Sequence, residues 1–433
     1  MNNRAWAKGE ARGRIDFLGG VADYSGAWVL EVPICAKTIV KVRAAAGPGC
    51  SVISRQEGNF ELFQGAWTEF QAATCLRSAR AVLDQAEVPP WGRYVLGCIA
   101  VLLRHRKCSS DLRGPLDFEI DSKMPLGMGV SSSAAIEVAT LRALTAFLSL
   151  SWSGTELARL AQQVENEIVG APCGLMDQLT AAHGKPRALL PILCRPDHLG
   201  EPIKLPPGVT IAGWPSGVKH RVGASPYAVA RCAAFMGKKI LECELKRTFG
   251  YLAEVRVSEF VQVSPRLPRT IRGREFALMY GDHADPLTRL PDPSDDIDPW
   301  GTEAENLNRA YPVRPAARFP IEETFRVEIA QELLRAVQRQ TRFSARRKAT
   351  LELVGELLLE SHAGYSRMGL GSSETDAMVA AVVDLGPAHG FYGARISGGG
   401  SGGTVVVLLE ETSLPRLEAL RLKFGTPHPV IVV

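Results

Sequence analysis

The chain lacks a dominant charge: its 433 residues carry 50 Lys and Arg against 46 Asp and Glu, a net charge of +4. That balance gives no electrostatic reason for a nucleic-acid partner, which a strongly basic surface would supply. Long apolar runs are missing too. None reaches the length needed to cross a bilayer, and the opening residues MNNRAWAKGEARGRIDF hold no apolar core of a secretory signal. No membrane partner and a cytoplasmic location are therefore expected. The nine cysteines are odd in number and scattered, without a C-x-x-C pair or a histidine cluster at ligand spacing. A reducing compartment fits that usage and a structural zinc site does not. Neither a fixed-period repeat nor a low-complexity tract is present.

What is present is a hydrophobic content of 46%, enough for substantial cores in two or three domains and too much for disorder. The clearest composition break is EPIKLPPGVT, residues 201–210, which places a domain boundary near residue 205 and gives domains 1–205 and 206–433. Residues 27–34 and 404–409 read as strands from their β-branched content. Residues 131–149 and 155–168 read as helices opened by hydroxyl residues that suit N-caps, and 345–360 as a long amphipathic helix. The acidic, proline-rich stretch from Pro291 to Asn306 reads as a surface loop.

Glycine, at 41 residues, gathers at 13–26, 127–129 and 393–403. In MPLGMGVSSSAAIEVAT, residues 124–140, Gly127 and Gly129 form a tight turn, Ser131, Ser132 and Ser133 follow, and a helix begins at once. Glycines let backbone approach an anion, and the helix start offers free N–H groups and the positive end of a dipole. No Gly-Lys-Ser/Thr follows, so this is not a Walker A loop; an ordinary serine-capped helix is the plain alternative. GARISGGGSGGTVVVL, residues 393–408, places a second glycine cluster between two strand-like runs, more than a hairpin needs. QQVENEIVGAPCGLMDQLTAAHG, residues 162–184, carries Glu165 and Glu167 on a helix, then a turn, then Asp177 beside Gln178. An acid in such an apolar setting is costly unless paired or used. GRIDFLGGVADYSG, residues 13–26, sets Arg14, Asp16 and Asp23 around Gly19-Gly20, with a surface pair of Arg14 and Asp16 as the plain alternative.

These four segments, in this order, resemble the GHMP kinases and, within them, the galactokinase branch. PPWGRYVLG (89–97), SGVKHRVGASPYAVAR (216–231) and HAGYSRMGLGSSETDAMV (362–379) extend the similarity over nearly the whole chain. The resemblance implies a two-lobed α+β fold with the active site in the interdomain cleft, and ATP, Mg²⁺ and a small-molecule sugar as ligands of a monomer or weak oligomer. By the same resemblance Asp177 is the acid that takes the proton of the anomeric hydroxyl, and Arg14 the cation beside it. Ser133 and Glu165 correspond to the metal ligands, and Gly127, Gly129, Ser131 and Ser132 to the phosphate cradle. Asp23 and Tyr227 correspond to sugar contacts, and Gly398, Gly399 and Gly400 to the third motif near the substrate.

One departure bears on the substrate. Galactokinases carry a Glu-His pair after the glycine of the first motif, and the glutamate holds the C6 hydroxyl of galactose. Here Gly20 and Val21 stand in those positions. Galactose without its hydroxymethyl group has the ring stereochemistry of L-arabinopyranose, and the run FLGGVADYSG is most similar to L-arabinokinases. The implied activity is an ATP-dependent L-arabinose 1-kinase. A galactose or other hexose kinase and a non-catalytic sugar and ATP sensor are the alternatives. A uronic acid would call for a basic partner that neither Gly20 nor Val21 provides.

Overall fold

The structure is a computed structural model that describes every residue except 1–4, 57, 63, 106–111, 113, 126, 172, 196, 219–225, 281–302 and 341–343. Most of the Pro291–Asn306 stretch therefore lies outside the described residues. The chain forms two compact units. The first comprises Met1–Arg14, Pro33–Leu126 and Ser131–Gly184; the second comprises Ile15–Val32, Gly127–Val130 and Lys185–Val433. The chain thus changes unit at Lys185, ahead of the Pro-Gly break near residue 205. The residues before that break are tied backwards: Ile203 and Lys204 pair with Leu189 and Ala188.

In the first unit, strand Leu116–Ser122 is antiparallel to the Thr38–Ala44 portion of strand Trp28–Ala44 and parallel to Cys50–Ser54, which is in turn antiparallel to Gly58–Leu62. Thr38, Val40 and Val42 are buried while Lys41 between them is exposed, the period of two expected of a strand with one face on a core. Helices Pro90–Arg104, Ser132–Phe147 and Gly154–Gln163 supply much of that core. The last of these is opened by a capping box. The Ser153 Oγ accepts from the Glu156 N–H at 3.2 Å, and the Glu156 carboxylate accepts from the Ser153 N–H at 2.7 Å. Close packing requires small residues: a Cβ on Gly97 would lie 2.5 Å from Val164 Cγ1, and one on Gly9 2.1 Å from the Ala139 carbonyl oxygen.

In the second unit, four antiparallel strands run in the order Phe391–Ile396, Thr404–Glu410, Val209–Pro215, Ile431–Val432. Of the strands that flank the 397–403 loop, Thr404–Glu410 corresponds to the β-branched run read at 404–409. Helix Ser373–Leu385 packs on this sheet through Met378, Val379 and Val382. A second, largely helical core is built on Pro226–Leu245, Val313–Gln338 and Ala345–Arg367. The amphipathic reading of 345–360 corresponds to this last helix, which continues to Arg367. The eight described cysteines are free, and no described helix is long and apolar enough to cross a membrane.

Helix Ala345–Arg367 approaches strand Phe391–Ile396 at backbone distance. A Cβ on Gly355 would lie 1.7 Å from the Tyr392 carbonyl oxygen, and one on Gly393 2.5 Å from Gly355 Cα. Gly355→Ala is expected to destabilise the protein by about 1–3 kcal/mol through overpacking, read as a lower urea midpoint. An unchanged midpoint would contradict this helix–strand spacing.

Candidate active site

The first unit assembles a group of acids around the start of helix Ser132–Phe147. Arg14 reaches Asp177, at the first turn of helix Met176–His183, through a two-pronged contact: Nε donates to Oδ1 and Nη2 to Oδ2, each at 2.8 Å. The fork of a guanidinium matches a carboxylate in this way, and such pairs are the stronger kind of charged hydrogen bond. Arg14 is 5% exposed at its side chain and Asp177 22%, so the acid keeps an open edge while the cation behind it is sealed. Arg14 and Asp16 are both buried and have separate partners, which sets aside the surface pair.

Ser131 holds the N-cap position, yet its side chain does not cap the helix. With φ at 62° and ψ at 46° it is left-handed, and its Oγ donates to Asp177 Oδ2 instead. The N-terminal N–H groups of this helix are consequently not capped by a side chain, the state in which they can meet an anion. The turn before it, Gly127–Val130, belongs to the second unit. There Gly127 and Gly129 have φ of 71° and 70°, and the Met128 carbonyl accepts from Thr404 Oγ1 at 2.7 Å.

Glu165 and Glu167 part company. After Gln163 the helix widens into a π-helical turn, Val164–Val169, closed by Gly170 in the left-handed region. Such turns recur at functional sites. Glu165 faces inward and Glu167 outward, where it accepts from Gln163 at 2.8 Å. Glu165 accepts from Gln178 Nε2 at 2.7 Å and from Cys173 Sγ at 3.7 Å, and is also hydrogen-bonded to Ser133. Pro172 of the intervening turn lies outside the described residues.

A third acid, Glu137, is fully buried on helix Ser132–Phe147 beside Gln178. Burial, reinforced by the Glu165 charge, drives its carboxyl well above the usual range. Sequence reading passed over it, although a lone carboxylate in AAIEVATL was a signal. Burial and then the Asp177 charge push Glu165 up to about 7, against the opposing pull of its hydrogen bonds to Ser133 and Cys173 and of the Arg14 charge.

Ser133 and Glu165 form a hydroxyl–carboxylate pair of hard oxygen donors, the kind that suits Mg²⁺. Among the described residues no group of three or more His, Cys, Asp or Glu could hold a metal ion unaided. That fits a cation shared with a nucleotide's phosphates, since Mg²⁺ commonly takes one or two carboxylates and completes its shell elsewhere.

The second unit holds the remaining candidates. The Gly19-Gly20 turn opens a short 3-10 helix, Gly20–Ser25. The Asp16 carboxylate accepts from the N–H groups of Gly20 and Gly398 and from Arg395 Nη1, each at 3.0 Å. The Val21 N–H donates to Tyr365 Oη at 3.0 Å, and that hydroxyl donates to the Gly398 carbonyl at 2.7 Å. First and third glycine motifs are thereby joined within one unit. Glycine is required in the third: a Cβ on Gly400 would lie 2.7 Å from Leu370, and its φ is 79°. Gly399 lies near the ring of Tyr227, which stacks edge-on against Tyr24 at 6.1 Å. Asp23 is buried and accepts from the Tyr24 N–H at 2.6 Å.

Glu165 makes stability depend on pH. The folded chain holds its proton up to about 7, whereas the ordinary value is 4.5, so between these values the fold binds more protons than the unfolded chain. Stability therefore falls as pH rises through that window, by up to about 1.4 kcal/mol per pH unit. Without divalent metal, Glu165→Gln should flatten this fall between pH 5 and pH 8 in urea titrations. An identical slope in the variant would place the proton elsewhere.

The family described as GHMP kinases N terminal domain matches residues 93–185, and GHMP kinases C terminal matches residues 343–423. An L-arabinokinase of Arabidopsis thaliana is 31% identical over 92% of this chain, which spans 42% of that protein's length. A galactokinase of Chloroflexus aggregans is 28% identical over 92% of this chain and 83% of its own. In fold, the chain is similar to Lactococcus lactis galactokinase complexed with galactose, with a TM-score of 0.71 and 20% identity over 99% of this chain and 94% of that one. The two family matches, in the order of the motifs, identify N-terminal and C-terminal GHMP kinase domains in this chain.

Proposed function

We propose that the protein is an ATP-dependent sugar 1-kinase whose preferred substrate is L-arabinose. The observation that carries the kinase reading is the Arg14–Asp177 pair: a carboxylate gripped on one side by a buried guanidinium and open on the other. Asp177 takes the proton of the anomeric hydroxyl as that oxygen forms its bond to the γ-phosphorus. The bond from phosphorus to the bridging oxygen breaks, and ADP leaves with the bonding electron pair. Arg14 keeps Asp177 an oriented anion and stabilises negative charge on the phosphoryl group in flight. Such reactions depend on positioning and charge neutralisation far more than on covalent help from the protein.

Gly127, Gly129, Ser131 and Ser132 are assigned to the triphosphate, and Ser133 and Glu165 to Mg²⁺. The cation, when bound, neutralises phosphate charge. Gln178 and Cys173 hold the Glu165 carboxylate from behind. On the sugar side, Asp23, Tyr227 and the 398–400 backbone are assigned to hydroxyl recognition, with Gly20 and Val21 lining the ring at C5.

L-Arabinose is favoured over D-galactose because position 20 bears no acceptor for a C6 hydroxyl, and because a relative named L-arabinokinase aligns along 92% of the chain. A galactokinase is the second reading, supported by relatives of that name.

Two measurements bear on this. Asp177→Ala should lower sugar-dependent ADP release by at least about a hundredfold while calorimetry still detects sugar binding; retained turnover would remove Asp177 from the reaction. In steady-state kinetics, kcat/KM should be higher for L-arabinose than for D-galactose, by about a hundredfold or less if a missing partner is all that discriminates. A higher value for galactose would overturn the substrate assignment.

A further inference from the structure

Tyr365 was part of a recognised motif, but the catalytic reading gives it no task. It is fully buried on helix Ala345–Arg367, and its hydroxyl reaches the first glycine motif. A Cβ built on Gly20 would lie 1.9 Å from Tyr365 Oη, 2.6 Å from Asp16 Oδ2 and 2.9 Å from Arg395 Nη2. No heavy atoms approach so closely without a bond. The phenol cannot swing aside cheaply. Its Oη accepts from Val21 and donates to Gly398, its ring lies 4.9 Å from the Arg395 guanidinium, and Phe319 packs edge-on at 5.2 Å.

We propose that Tyr365 is a specificity-determining residue: it occupies the start of any side chain at position 20, holds that position to glycine, and so denies the sugar site an acceptor beside C5. The substrate class that follows is an aldopyranose with no hydroxymethyl group at C5. This rests on the sugar 1-kinase reading above. Gly20 also has φ of 51°, a conformation that disfavours any other residue to a lesser degree. The exclusion by Tyr365 is separable from this backbone preference and from the close approach to Asp16 and Arg395, because only the first depends on residue 365.

Stability measurements without substrate separate them. Gly20→Ala should lower the thermal midpoint in the wild-type background and lower it less in Tyr365→Leu, the remainder being the backbone preference and the contacts with Asp16 and Arg395. Equal losses in both backgrounds would overturn the exclusion. Tyr365→Met replaces Leu should that variant not fold. In kinetics, Gly20→Glu alone should lose activity on both sugars. Gly20→Glu combined with Tyr365→Leu should move the galactose-to-arabinose ratio of kcat/KM toward galactose by about tenfold or more relative to Tyr365→Leu, as a new hydrogen-bonding partner would. A merely structural Tyr365 would leave that ratio within about twofold, which overturns the inference alone. A wild-type chain that phosphorylates neither sugar overturns the kinase reading and the specificity role with it, whatever the stability cycle gives.

Discussion

The Asp16 carboxylate is the constraint on which the glycine turns of the second unit depend. It and Arg395 are 0% exposed, and the two are separated by 379 positions in the chain. Burying two charges costs several kcal/mol per ion unless good geometry and further hydrogen bonds compensate. Here compensation comes from backbone: Gly20 and Gly398 both point N–H groups at the same carboxylate, and the Asp16 N–H donates to Ser397 Oγ at 3.0 Å. Burial by itself would pull the Arg395 guanidinium down, but Asp16, Tyr365 and Glu323 outweigh it and keep it charged. One acid therefore sets the conformation of two glycine turns. Removing a single partner from a buried pair typically costs about 3–5 kcal/mol, because the other charge is left uncompensated.

The first unit uses its acids differently. Glu137, Glu165 and Asp177 share one neighbourhood, and burial raises the first two. Glu137 has burial and a like charge against it, and its carboxyl is driven well above the usual range. Glu165 has the same handicaps and several hydrogen bonds in its favour, and titrates at about 7. Asp177 has a two-pronged arginine and an open edge. Separation of this kind lets neighbouring carboxyls take different tasks in one site. It also limits electrostatic cost, since three ionised acids this deep would repel one another in a low dielectric.

Much of this was legible wherever the signal was local. Gly127, Gly129 and the serines announced a turn and a helix start, and the β-branched run at 404–409 announced a strand. The side chain of Ser131 was not legible. Capping the helix and reaching Asp177 use the same hydroxyl, and only the fold decides between them. Nor was the π-helical turn at Val164–Val169, because VENEIV carries no residue that an α-helix would refuse. Yet that turn sends Glu165 inward and Glu167 outward. The units were obscure for a different reason. Strands Ala7–Leu18 and Trp28–Ala44 each change unit part-way, and composition marks neither point. Tyr365 meets Val21 across 344 positions, a contact to which nothing in HAGYSRMGL points.

The glycine at position 20 shows how a missing side chain can mean two things. Read along the chain, Gly20 is a loss: an acceptor that related enzymes use is gone, and a site lacking a partner discriminates weakly. Read in the fold, Gly20 is a requirement, since the Tyr365 hydroxyl stands where its Cβ would be. The two readings differ in what evolution or design would have to change. A mere loss is reversed by one substitution. A requirement is reversed only by two, because a glutamate introduced beside Tyr365 meets a buried phenol tied to Val21 and Gly398. Close packing, unlike an absent hydrogen bond, rejects the wrong group through overlap, and protein interiors yield little to overlap. Selectivity of the kind proposed would resist drift through single mutations, and the Tyr365 hydroxyl also fastens the first glycine motif to the third.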